Sequence, residues 1–101
     1  MSLTEEQIQD NWIEFNNNIG VAFFELGKIS DSIKVFKKSL NQDSNLDLTY
    51  CNLGISYDEI GKYEKAINSY LKALEINKNN SIAAKNLINV FNVHKPTNTS
   101  K

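Results

Sequence analysis

The chain has no arginine, and only one cysteine, one proline, one histidine and one tryptophan among its 101 residues. Each scarcity excludes something. Lysine supplies all the positive charge and the formal net charge is -1, so the basic surface and guanidinium forks of a nucleic-acid binder are missing. Nucleic acid is not an expected partner. Cys51 cannot form an internal disulfide and has no histidine or second cysteine at metal-ligand or redox spacing; it reads as a small groove-lining or half-buried residue. His94 lacks the oriented partner and nucleophile that acid–base chemistry needs, and reads as a solvated histidine near a helix end. The adjacent acids Glu5-Glu6 and Asp58-Glu59 point to different sides of a helix and cannot work as a carboxylate pair. No glycine-rich phosphate loop is present. The chain is therefore not expected to be an enzyme, and no cofactor or metal is expected. No apolar run reaches the length of a membrane span, and the start, MSLTEEQIQD, lacks a basic region followed by an apolar core; a cytoplasmic protein without a membrane partner is expected.

With 41% hydrophobic and 23% charged residues, the chain has the means to build a core, and a domain of this size buries roughly 65% of its unfolded surface. Thr4-Glu5-Glu6-Gln7 is a capping box: the Thr4 hydroxyl can take the Gln7 amide while the Gln7 side chain reaches back. From there Ile8, Trp12, Phe15, Ile19, Ala22 and Leu26 recur at helical steps and predict one long apolar stripe facing a core. Gly27-Lys28 stops that helix, and Ser30 or Asp31 is placed to cap the next, which carries Ile33, Val35, Phe36 and Leu40. Gln42 to Leu46 is a polar loop. The cluster Lys34, Lys37, Lys38 is the solvated side of the second helix. After Asn80 a further helix carries Ala83, Ala84, Leu87, Val90 and Phe91, and Pro96 forbids its continuation.

The pattern then repeats. Leu53, Gly54, Tyr57, Gly61, Tyr63, Ala66, Tyr70, Ala73 and Leu74, shifted back by 34 positions, become Ile19, Gly20, Phe23, Gly27, Ile29, Ser32, Phe36, Ser39 and Leu40. Apolar, aromatic and glycine positions recur, and both alanines return as serines. A period of that length with one helix pair per unit is the mark of a repeat array. At these residues the chain resembles the tetratricopeptide repeat (TPR) family, over about residues 13 to 93. The proline that family repeats usually carry between units is replaced by Ser44 and Lys78. The expected fold is all-α, a superhelical stack of antiparallel helix pairs with about two and a half repeats and an extended N-terminal helix. Its divisions are a domain at 1–95, comprising repeats at 13–46 and 47–80 and a capping helix at 81–95, followed by a flexible tail at 96–101.

The resemblance implies that the leading helices line a concave face that takes a peptide or a partner helix. The positions facing it are Asn17, Val21, Phe24, Leu48, Asn52, Ile55, Lys85, Asn86 and Asn89, with Ile13, Cys51, Asp58, Glu59, Ile82 and Asn92 at neighbouring positions. Apolar Val21, Phe24, Leu48 and Ile55 would hold side chains of a ligand while asparagines bind its backbone. The same strip could instead be filled by the N-terminal segment or by a second copy. The family's dicarboxylate clamp, which holds an acidic chaperone tail, is not expected. Of its five polar positions this chain keeps one, Asn52; Asn17, Val21, Ile82 and Asn86 stand at the others and every cation is missing. The function implied is a protein-interaction adaptor or scaffold. The alternative is a structural, self-assembling protein whose groove or N-terminal helix forms a homodimer, since two and a half repeats fall short of the roughly three wanted for stability. Trp12 packed within the chain and Phe24 open would favour the adaptor; Trp12, Ile13 and Phe24 in an interface between copies would favour the homodimer.

Overall fold

The computed structural model describes residues 2–94. It contains five helices: α1 (Glu5–Glu25), α2 (Ile29–Gln42), α3 (Asp47–Glu59), α4 (Tyr63–Ile76) and α5 (Ser81–Val93). The capping box forms as the sequence predicts, with the Gln7 amide donating to Thr4 Oγ1 at 3.1 Å and the Thr4 amide to Gln7 Oε1 at 2.9 Å. The final helix runs from Ser81 to Val93, and the expected end of the capping segment at 95 and the expected tail at 96–101 lie outside the described residues.

Each helix pair is joined by the same two-residue device. Gly27 and Gly61 hold φ of 81° and 78°, a left-handed conformation open to glycine. The following amides, Lys28 and Lys62, donate back to the Phe23 and Tyr57 carbonyls at 2.8 and 2.9 Å, closing the finished helix and starting the next at once. This corrects the expected cap of α2. Ser30 and Asp31 lie inside its first turn, Lys28 is the N-cap without a side-chain bond, and the turn is too short to hold a serine outside. The longer loops between pairs do use Asx side chains. The Asn45 amide donates to Asp43 Oδ1 at 2.9 Å, Asn79 to Asn77 Oδ1 at 3.0 Å and Ala83 to Asn80 Oδ1 at 2.9 Å, and Asn80 Nδ2 ties the second loop to Asp47 Oδ2 at 2.9 Å.

Consecutive helices pack in order, and the leading helices also touch one another, α1 on α3 and α3 on α5, whereas α2 and α4 do not meet. Leading helices that touch while trailing helices diverge give a stack curved around its leading helices. Within a pair, the close approach is made at glycine. Gly20 sits against the Phe36 ring, and a Cβ on Gly54 would lie 2.6 Å from Tyr70 Cε1. Between pairs, the 34-residue shift maps Ser32, Ser39, Thr49 and Ser56 onto Ala66, Ala73, Ala83 and Val90, and all eight are buried. The first seam is thus polar, with Ser32 Oγ and Ser56 Oγ 3.2 Å apart, and the second is apolar.

Three further expectations are corrected. The stripe on α1 does not face a core: Trp12 is 52% and Phe15 54% exposed, Ile8 and Leu26 are also open, and the buried residues of α1 are Asn16 and Gly20. The reason is that α1 approaches α2 along its glycine edge, which turns the stripe outward. Cys51 is neither groove-lining nor half-buried but sits in the core with Ala83 and Val90. His94 is not simply solvated. Its ring stacks on Tyr63 with centroids 3.7 Å apart and planes 6° from parallel, fastening the end of α5 to the start of α4.

Three measurements check this packing. Gly54→Leu forces a side chain into space held by the wholly buried Tyr70 ring; we expect a loss of about 2 kcal/mol or more despite better helix propensity, read as a lower urea midpoint. Tyr70→Phe does the reverse, because the Tyr70 hydroxyl is buried without a hydrogen-bond partner among the described residues and the first pair already uses Phe36 there. Stability should hold or rise by about 1 kcal/mol. For Cys51, burial and then the Asp47 carboxylate push the thiol up to about 11. The native protein should therefore resist alkylation at mildly alkaline pH and react promptly once denatured.

Candidate partner-binding groove

The groove follows from the curvature. On α1, turning 100° per residue brings Asn17, Val21 and Phe24 to the side away from the exposed stripe, and on α3 the same geometry aligns Leu48, Asn52 and Ile55. The contact of α1 with α3 sets these two rows beside each other. Val21, Phe24, Asn52 and Ile55 surround one hollow of about 230 Å³, floored by Phe36 and Ser56 and rimmed by Glu25. Val21, Phe24 and Ile55 are half-buried, so each offers apolar surface without being enclosed.

Towards the start of α1 a second hollow of about 460 Å³ lies between the same two helices. Ile13, Asn17 and exposed Leu48 line it, with Asp10, Glu14 and Asp47 as its charged groups. Between the two hollows, Asn52 Nδ2 donates to Asn17 Oδ1 at 3.1 Å and Thr49 Oγ1 reaches the same oxygen at 3.5 Å. These asparagines hold α1 to α3 before any ligand arrives. Asn17 keeps its amide donors and Asn52 its carbonyl to offer outward.

The α5 residues stand apart. Lys85 and Asn89 are exposed and Asn86 is half-buried, but none of the three lines either hollow. The sequence also gave no warning of the acids. Asp10, Glu14 and Asp47 edge the larger hollow and Glu25 the smaller, and their spacing along two separate helices carries no local motif. No helix among the described residues is long and apolar enough to cross a membrane.

Comparison with known proteins agrees with this geometry. A family model described as "Tetratricopeptide repeat" matches residues 48–80, and another described as "TPR repeat" matches 20–61. No curated protein matches the sequence. A solved structure described as the second TPR of Spaghetti (RPAP3) bound to the HSP90 peptide SRMEEVD superposes with a TM-score of 0.78 at 23% identity, covering 84% of this chain and 81% of that one. At that identity the likeness is one of fold. The two family matches run together from residue 20 to residue 80, over the helix pairs seated on Gly20 and Gly54, and the chain belongs to the tetratricopeptide repeat family.

Proposed function

We propose that the protein is an interaction module that holds an extended peptide or partner helix along the concave side of α1 and α3. The observation that carries this is the hollow between Val21, Phe24, Asn52 and Ile55, an apolar seat with hydrogen-bonding asparagines beside it. Its rim selects the ligand. Asp10, Glu14, Glu25 and Asp47 edge the two hollows, so the fitting partner carries apolar side chains flanked by lysine or arginine.

This choice runs against the peptide in the similar solved structure, whose SRMEEVD sequence carries two glutamates and an aspartate. An acidic tail entering this groove would meet carboxylates, and of the clamp positions only Asn52 is kept. The partner is therefore of the opposite charge, although the fold is shared.

Fluorescence anisotropy with two labelled peptides tests the proposal: SRMEEVD, and a peptide of alternating leucine and lysine. The basic apolar peptide should bind at least about tenfold more tightly at low salt, and Val21→Lys with Ile55→Lys should abolish that binding while helicity is kept. Tighter binding of SRMEEVD would overturn the charge assignment. Unaltered binding by the double variant would place the site elsewhere.

A further inference from the structure

Among the described residues, both end faces of the stack are left uncovered, in complementary ways. At the first end, the 34-residue shift maps Phe15 and Ala22 onto Thr49 and Ser56, and these onto Ala83 and Val90. The later four are buried, against the preceding helix pair; Phe15 and Ala22 are exposed. With Leu3, Ile8, Asn11 and Trp12, Phe15 frames an open apolar hollow of about 420 Å³. At the other end, Leu87, Ile88 and Phe91 stand where Leu53, Gly54 and Tyr57 meet their trailing helix. No trailing helix covers them among the described residues, and Ile88 and Phe91 are 60% and 50% exposed. Ile88 replaces the glycine that receives a ring in the earlier pairs, so α5 presents a knob where α1 and α3 present a hole.

Charge divides along the same axis. Up to Leu26 the chain carries Glu5, Glu6, Asp10, Glu14 and Glu25 and no lysine; from Ile76 to His94 it carries Lys78 and Lys85 and no acid. Two α1 faces or two α5 faces brought together would repel. An α1 face against an α5 face would attract, and the Ile88–Phe91 knob matches the hollow at Phe15 in character.

From this shape and charge we infer that the chain associates head to tail with a second copy of itself, the outer face of α1 seating on the uncovered face of α5. Each helix then supplies the neighbour that the other lacks. The contact is heterologous and does not close on two copies, so it builds short linear assemblies and not a symmetric dimer. It leaves the Val21–Ile55 hollow free and is independent of the peptide-binding proposal.

Sedimentation of the full chain over a hundredfold concentration range, in about 0.1 M and about 1 M salt, tests it; the screening length falls from about 10 to about 3 Å between them. The weight-average mass should rise past that of a dimer in low salt and fall back in high salt. Phe15→Glu and Ile88→Glu, both at exposed positions and checked for helicity by circular dichroism, should each stay monomeric alone. Mixed together they should form a 1:1 dimer, because one retains a sound α5 face and the other a sound α1 face. A concentration-independent monomer would overturn the inference. So would a dimer that persists in either single variant, which would mark an isologous contact, or a mixture that fails to associate.

Discussion

The seat of an aromatic ring on a glycine governs the rest of the structure. Phe36 on Gly20 and Tyr70 on Gly54 bring leading and trailing helices closer than any side chain at the glycine would allow. That approach decides which edge of each leading helix is turned inward, and hence which edges are left for neighbouring pairs and for solvent. On α1 the decision buries Asn16 and Gly20 and leaves Trp12 and Phe15 outside. On α3, covered on two sides by other pairs, the same geometry buries Cys51, Leu53 and Tyr57. The groove is a by-product of the same constraint, since trailing helices held on the outer side oblige the leading helices to touch along the inner one.

Much of this was written plainly in the chain. Glycines and rings returning after 34 positions located the pairs, and Gly27 and Gly61 located the turns, because a left-handed residue and a close approach each leave few alternatives. Which face of α1 is covered was not legible. The stripe from Ile8 to Leu26 records a surface suited to burial but not whether this chain supplies the covering partner, and the residues in fact buried are an asparagine and a glycine. Cys51 was placed in the groove by helical angle alone, which takes no account of α5 closing over that side of α3. The stack of His94 on Tyr63 joins positions too distant in sequence for any local pattern to reveal.

The groove was legible to a similar degree. Val21, Phe24, Asn52 and Ile55 come together around one hollow because they share a phase on two helices that the repeat makes parallel. Lys85, Asn86 and Asn89 share that phase too, yet sit one helix further along a curved stack, outside the two hollows. Angular phase fixes the side of a helix; the curvature and the loops decide which turns meet. The exposure of Trp12, against the expectation tied to a simple adaptor, directs attention to the ends of the stack as well as to its concavity.

The contrast between the seams sets an order of opening. At the first seam Ser32 Oγ meets Ser56 Oγ, Thr49 Oγ1 reaches Asn17, and the buried Ser39 hydroxyl has no hydrogen-bond partner among the described residues, where Ala66, Ala73, Ala83 and Val90 hold the second pair to α5 with methyl groups. Hydroxyl contacts exchange for contacts with water at small net cost, whereas apolar contacts have no such substitute. Separation therefore begins between α2 and α3, releasing α1 and α2 as one unit while α3, α4 and α5 stay together. The groove spans that seam, with α1 on one side and α3 on the other. A ligand lying across it would act as a strap, and the local opening that costs the free protein least would be the one that its partner suppresses.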